Sequence, residues 1–200
     1  MTASFTSSFL KETVAIINAL DHAVIERMAA QLVAVRERGG RLFVLGVGGG
    51  AGHASHAVND FRKIARIESY SPSDNVAELT ARTNDDGWNT VYAAWLEGSH
   101  LSARDLLLVF SVGGGDATRN ISATLVRALD FAVSLGTPII GVVGRDGGHT
   151  GRVGTDVLIV PTVNPANITP HTEALQAVVW HLLVGHPDVQ RVSNKWEASR

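Results

Sequence analysis

Cysteine is absent from this 200-residue chain, which excludes disulfide bonds and thiolate chemistry and fits a reducing compartment. An excess of positive charge is lacking too: the chain has 17 Lys and Arg and 19 Asp and Glu, a balance with no nucleic-acid-binding footprint. No apolar run approaches the roughly 20 residues that a spanning helix needs, and the first residues do not resemble a signal peptide. We therefore expect a cytoplasmic protein with neither nucleic acid nor membrane among its partners.

What remains is the composition of an ordinary globular protein, with 45% hydrophobic and 18% charged residues. Four apolar segments have the length of buried strands, and helical patterns alternate with them. They cover residues 41–46, 105–111, 139–143 and 157–160, and a shorter strand is expected at 67–70. Strands buried on both faces are typical of parallel sheets, so the alternation predicts an α/β fold with its site at the carboxyl ends of the strands.

Two helices are predicted ahead of the first strand, over residues 4–20 and 23–38, with Asp21 as the N-cap of the second. A doubly wound sheet does not require this pair. The first helix has too many apolar positions for one face, so we expect it to pack partly on another subunit. The predicted organisation is a helical pair at 1–40 within the same domain, a core at 41–186 and a tail at 187–200.

Turn and capping residues set the predicted ends of the later helices. A short helix over 75–83 should end at the turn 84–87, and another should cover 88–96. A helix over 117–135 should follow Asp116, which is well placed as its N-cap. The last helix, over 170–184, should have Thr169 as its N-cap and Pro170 at its first position.

Glycine-rich turns follow the strands at 41–46 and 105–111, and bare backbone N–H groups beside a helix start suit an anionic ligand. The first turn nearly matches the G-x-G-x-x-G fingerprint of dinucleotide sites, but its last glycine comes one residue late and Glu68 fits the confirming acidic position only by count. A G-K-[ST] motif is missing, which excludes a P-loop. We expect no nucleotide cofactor, and tight strand–helix packing is the simple alternative explanation of the glycines.

Six short motifs occur in the order seen in one known family. They are Gly46 to Gly50, His56 with Asp60, Asn84 with Asp85, Ser111 to Asp116, Gly144 to Gly148, and Glu173 with His181. In this order the chain resembles the sugar isomerase (SIS) domain and, within it, the phosphoheptose isomerases. Compared with that family, Val47 and Gly50 replace Asn and Ser, the second loop keeps one hydroxyl, and Asp60 replaces a glutamate.

The resemblance implies a three-layer sandwich around a central parallel sheet, flavodoxin- or Rossmann-like, that assembles as a homotetramer. It implies isomerisation of sedoheptulose 7-phosphate to D-glycero-D-manno-heptose 7-phosphate through an enediol, with Asp60 as the base and His181 as the acid. It also implies a set of substrate-binding residues. These are Gly48, Gly49, Gly50, Asn84, Asp85, Ser111, Gly113, Gly114, Gly115, Asp116 and Glu173.

Helical spacing places His56 and Asp60 on one face, and Glu173 and His181, eight residues apart, roughly on another. If these faces meet, the two nitrogen and two oxygen ligands suit Zn²⁺, which some members of the resembled family bind at this position. The other histidines are interpreted as surface or boundary residues, with His53 and His171 undecided because they lie near the expected cleft. Gln176, five residues before His181, points away from it and is not part of this ligand set.

Two other functions stay open. A non-catalytic SIS protein could bind a sugar phosphate or a protein partner and act in regulation, as replication-initiation regulators of this fold do. Alternatively, the enzyme could act on a modified sugar whose amine pairs with Asp116.

Overall fold

The computed structural model describes residues 4–193 and contains a five-stranded, all-parallel sheet in the order β2-β1-β3-β4-β5. The strands are β1 Leu42–Gly46, β2 Ser69–Tyr70, β3 Leu106–Ser111, β4 Ile139–Val143 and β5 Asp156–Ile159. Four of the five strands therefore lie within a residue or two of the predicted segments, and β2 is half as long as expected. The prediction of an α/β fold with a central parallel sheet is confirmed.

Eight α-helices surround the sheet in the described part of the chain. They are α1 Phe5–Asn18, α2 His22–Glu37, α3 Gly49–Lys63, α4 Val76–Asp86, α5 Val91–Gly98, α6 Ala123–Ser134, α7 Gly148–Val153 and α8 Ile168–Gly185. Successive strand residues point to opposite faces, so Val44 and Leu108 pack with α2, α3 and α8, while Leu45 and Leu107 pack with α5 and α6. Two hydrophobic cores result, one on each side of the sheet.

The start of α6 was predicted six residues too early. Asp116 and Ile121 exchange both backbone hydrogen bonds in an isolated antiparallel bridge, which holds residues 117–120 as a turn. Asn120 and Ser122 have φ values of 53° and 52°, in the left-handed region that a right-handed helix excludes. Asp116 consequently does not cap α6.

Other helices also differ from prediction. Helix α8 begins at Ile168 after Asn167, so Thr169 is not its N-cap, and Pro170 lies in the first turn where its missing N–H is tolerated. Helix α4 continues through Asn84 to Asp86 and ends at Gly87, whose φ of 80° favours glycine. Helix α7 was not predicted, because its six residues begin within a glycine-rich turn.

Helix α1 buries only Ile16, and its outer face exposes Phe5, Leu10, Val14 and Ile17. Its main polar attachment is Glu12, whose carboxylate accepts hydrogen bonds from the side chains of Asn164 and Asn167 at 2.8 Å and faces His171 Nε2 at 2.9 Å. Helix α1 is therefore tied to the segment that leads into α8. Among residues 4–193, none of the helices has the length and apolar character to cross a membrane.

Candidate functional site

A cleft of about 360 Å³ opens where β1, β3 and β4 end, and the first turns of α8 form one of its walls. Six of the predicted substrate-binding residues line it. These are Gly50, Ser111, Gly113, Gly115, Asp116 and Glu173. Crevices at the carboxyl ends of parallel strands are the usual ligand sites of open α/β sheets.

Glycine lets the loops around this cleft touch backbone to backbone. A Cβ added to Gly50 would lie 2.5 Å from the Phe110 carbonyl oxygen, and one at Gly114 would lie 1.9 Å from that of Gly147. Gly114 also has a φ of 68°, which disfavours any other residue. The end of β1 is held from the opposite side of the sheet, because the buried Tyr92 hydroxyl donates to the Gly46 carbonyl at 2.6 Å. Burial raises the pKa of Tyr92 to about 12.

The negative charge of Asp116 is balanced by a positively charged neighbour within its own turn. Its carboxylate accepts from the Arg119 backbone N–H at 2.9 Å and from Arg119 Nε at 2.7 Å. These two hydrogen bonds lower the pKa of the Asp116 carboxyl, and the bond from the backbone N–H has the larger effect. The carboxylate therefore stays ionised and already has a cationic partner.

Several polar residues outside the predicted set also line the cleft. They include Arg119, Arg145, Asp146, Arg152 and Gln176. The sequence could have indicated Arg145, because it comes just after an apolar strand and the carboxyl ends of parallel strands meet at one edge of the sheet. Gln176 lies one turn after Glu173 on α8 and donates to the Val142 carbonyl at 3.1 Å. Its orientation relative to His181 excludes it from the predicted metal site, but its side chain contacts the sheet and lines the cleft.

Farther along α3 and α8 than the cleft, three of the predicted metal ligands form a histidine–aspartate group. His56 and Asp60 project from α3 and His181 from α8, and one ligand atom from each lies within 4.8 Å of the others. His56 Nε2 is 3.8 Å from Asp60 Oδ2. Asp60 is buried, at 3% exposure; its Oδ2 has no hydrogen-bond partner within residues 4–193, while Oδ1 accepts from Asn59. A buried carboxylate oxygen facing two imidazoles fits the donor set that Zn²⁺ prefers.

Packing and a hydrogen bond orient the two imidazoles. The His181 ring stacks on the buried Trp180 indole with 3.5 Å between ring centroids, and His56 meets the same indole edge-on at 4.7 Å. His181 Nδ1 lies 2.7 Å from the Ala177 carbonyl oxygen, an acceptor, so Nδ1 carries the proton. His181 Nε2 is then the nitrogen that can bind a ligand.

Glu173, the fourth predicted metal ligand, lies outside this group. Its carboxylate approaches Gly49 at the start of α3, 2.6 Å from where a Cβ would be. Eight residues keep the helical face but add about 12 Å of rise along the axis, which separates Glu173 from His181 within one subunit. Glu173 therefore belongs with the cleft, about two turns away from His181.

The other predicted residues are placed as follows. Gly48 and Gly49 are exposed at the start of α3, and Gly114 is a buried residue of the second loop. Asn84 and Asp85 are exposed on α4, hydrogen-bonded to each other, and do not line the cleft.

Comparison with known proteins finds relatives of this chain, although no protein-family model matches its sequence. The phosphoheptose isomerase of Chlorobaculum tepidum is 30% identical over 194 residues, which cover 93% of this chain and 84% of that protein. The chain belongs to the phosphoheptose isomerase family of SIS-domain proteins.

Two further similarities bear on this family membership. The structure of a phosphoheptose isomerase from Francisella tularensis has a TM-score of 0.75 and 25% sequence identity, and covers 92% of this chain and 97% of that one. Lincomycin biosynthesis protein LmbN of Streptomyces lincolnensis is 32% identical over 151 residues, 72% of this chain. These residues are 54% of LmbN, so the similarity spans about half its length.

Proposed function

We propose that the chain interconverts the aldose and ketose forms of a phosphosugar, and that its substrate is sedoheptulose 7-phosphate. The product is D-glycero-D-manno-heptose 7-phosphate, formed through an enediol. The observation that carries the proposal is the Asp60 carboxylate, which is buried beside two imidazoles and has one oxygen that none of the described residues hydrogen-bonds. Such an oxygen can take up a proton from the carbon beside a carbonyl.

Asp60 and His181 divide the proton transfers in this proposal. Asp60 Oδ2 is the base, since Oδ1 already accepts a hydrogen bond from Asn59. In the metal-free site His181 is the acid: its Nδ1–H faces the Ala177 carbonyl, so the proton that a protonated ring donates comes from Nε2. The stack on Trp180 restricts rotation of the imidazole, so Nε2 is held in one direction.

Zn²⁺ is the proposed metal, held by His56, Asp60 and His181. Tetrahedral zinc with nitrogen and oxygen ligands needs donor atoms about 3.3 Å apart, close to the 3.8 Å between His56 Nε2 and Asp60 Oδ2. When bound, the ion would occupy Asp60 Oδ2 and His181 Nε2 and would supply polarisation of the carbonyl group, whereas the proton transfers assigned to these two atoms belong to the metal-free site. Glu173, predicted as a fourth ligand, instead has its proposed role in the cleft.

A homo-oligomer, a tetramer by analogy with the resembled family, is proposed as the working form in the cytoplasm. Within one subunit, His56 follows Gly49 at the cleft by seven residues, or about 10 Å of helix. Apolar side chains are exposed beside His181, at Val178 and Leu182, as they are on α1. Subunit contact would bury these side chains and bring the cleft of one copy near the histidine–aspartate group of another.

The test is isomerisation of sedoheptulose 7-phosphate by the purified protein, with and without added zinc. Turnover that disappears in Asp60→Asn supports the proposal. Folded wild-type protein that gives no product in either condition contradicts it.

A modified sugar is the second candidate substrate, favoured by the likeness to a lincomycin biosynthesis protein and by a second loop with a single hydroxyl. A thermal-shift screen against phosphorylated and amino sugars separates the two, because a ligand that binds only the folded state raises the melting temperature. A regulatory, non-catalytic role would show as ligand binding without turnover.

A further inference from the structure

The charged side chains of the cleft divide into a paired and an unpaired set. Asp116 is bound by Arg119, and the positive charge of Arg119 also faces Asp146. Arg145 and Arg152 line the same cleft, yet the side chain of neither has a hydrogen bond or an ion pair with any of residues 4–193. Two guanidinium groups without anionic partners therefore remain on one side of the cavity.

Arg145 is held over the cleft by its backbone and by a neighbouring glycine. It lies two residues after β4 with a φ of 56°, a left-handed conformation that is uncommon for residues with a Cβ. Its Cδ and Nε lie 3.7 and 3.9 Å from where a Cβ of Gly113 would be. The Gly144 N–H donates to the Val112 carbonyl and fixes the start of this turn against the end of β3. The guanidinium is thus directed across the second loop.

The loop itself has little to offer an anion. Its one hydroxyl, on Ser111, accepts a hydrogen bond from the Gly114 N–H at 3.0 Å, so this N–H is not available to an anion and the loop side chains offer a single O–H donor. The β1 side of the cleft holds the Glu173 carboxylate against Gly49, and like charge there repels a phosphate. The cleft is therefore polarised: the Glu173 carboxylate, unpaired among the described residues, lies beside β1, whereas beside β3 and β4 three arginines outnumber Asp116 and Asp146.

We propose that Arg145 and Arg152 bind the phosphate group of the ligand, replacing the hydroxyls of the 111–116 loop, and that the sugar extends from them toward Glu173. Arginine suits this role because its planar fork binds phosphate oxygens in a bidentate manner and stays charged. The sugar extends from the β4 side toward the β1 side because the strands lie in the order β1-β3-β4, with neighbouring strands about 4.8 Å apart. The inference deepens the proposed function, on which it rests for the identity of the ligand.

The test is calorimetric titration of sedoheptulose 7-phosphate and of inorganic phosphate into wild type, Arg145→Ala, Arg152→Ala and the double variant. Each substitution should weaken binding of both ligands by about tenfold, because each removes charge-assisted hydrogen bonds to phosphate. Arg145→Lys, which keeps the charge and loses the fork, should fall between wild type and Arg145→Ala. Arg127→Ala is the matched control: it removes the same charge from the exposed face of α6, away from the cleft, and should change affinity less than twofold.

Equal affinity of the double variant and wild type for inorganic phosphate, with both folded by circular dichroism, overturns the inference and leaves the proposed isomerase intact. Wild-type protein that binds neither phosphate nor the phosphosugar also overturns it. If the arginines govern phosphate binding but no phosphosugar is isomerised, the inference holds and the proposed function fails.

Discussion

At the scale of single residues, Asp60 is the carboxylate with the most unusual surroundings. It is buried beside two imidazoles, and one of its oxygens receives no hydrogen bond from the described residues. We predict that Asp60→Asn lowers kcat for the phosphosugar by at least about 100-fold, since the amide cannot accept the proton. Initial rates of product formation measure this change.

The control for that substitution is Asp85→Asn. Asp85 is exposed on α4 outside the cleft, although the sequence motif predicts that it binds substrate. Its loss should alter kcat/KM by less than threefold. A larger decrease would mean that this part of α4 reaches the substrate in the assembled protein.

The metal ligands can be separated by a pair of substitutions. His56→Gln should reduce bound zinc to well below half of the wild-type content, because it removes one of three converging donors. Glu173→Gln should leave the zinc content unchanged, since its carboxylate lies about two helical turns away. Metal analysis of purified, dialysed protein gives the answer. Loss of zinc in Glu173→Gln would restore the four-ligand site.

At the scale of the element, α1 is held by an acid-sensitive attachment. Hydrogen bonds from Asn167, His171 and Asn164 lower the pKa of Glu12 from 4.5 to about 2. A carboxyl with a depressed pKa in the folded state stabilises that state above pH 4.5, and this contribution is lost as the pH falls toward 2. We therefore predict that the free energy of unfolding of Glu12→Gln falls less steeply than that of wild type between pH 5 and 2.5.

Urea unfolding at a series of pH values measures both slopes. Glu97→Gln, on the exposed face of α5, is the control and should follow wild type. Parallel curves for wild type and Glu12→Gln would show that the network does not carry this pH dependence.

Two glycines of α3 allow a matched test of close packing. A Cβ at Gly50 would lie 2.5 Å from the Phe110 carbonyl oxygen, whereas one at Gly52 has open space around it. Gly50→Ala should lower the free energy of unfolding by about 1–3 kcal/mol through overpacking. Gly52→Ala should raise it by about 0.5–1 kcal/mol, because alanine loses less backbone freedom in a helix. Thermal or urea unfolding at pH 7 compares the two variants, and equal effects would contradict the packing argument.

At the scale of the whole molecule, the exposed apolar face of α1 is the feature that a monomer leaves unexplained. Val14 is 57% exposed on this face, next to Leu10 and Ile17. Val14→Arg should dissociate the proposed oligomer, because burying an unpaired charge at a subunit contact is costly. Light scattering coupled to size-exclusion chromatography measures the mass. Val133→Arg, which is 49% exposed on α6, should keep the wild-type mass.

Much of this architecture could be predicted because it depends on local signals. Strands β1, β3 and β4 are uninterrupted apolar segments, and the N-cap of α2 at Asp21 follows from its neighbours. The start of α6 could not be predicted, since it depends on the pairing of Asp116 with Ile121. The order of motifs likewise identifies the resembled family without saying which of its residues share one pocket.

The placement of Glu173 shows the same limit within the site. Periodicity indicates which face of a helix a residue occupies, and it places Glu173 and His181 together. It does not account for the distance along the axis, which separates them by two turns. Arg145 was overlooked for the complementary reason, because its side chain reaches the cleft from a turn that has no periodicity at all.

The cleft and the histidine–aspartate group lie at different positions along the same two helices, α3 and α8. This separation affects how such a protein can evolve. Replacements in the 111–116 loop or the 144–148 turn change the surface that selects a ligand without altering His56, Asp60 or His181. A gene duplicate could therefore acquire a new sugar by drift in two loops while its reaction chemistry is inherited intact. Sequence divergence among paralogues should accordingly concentrate in those loops.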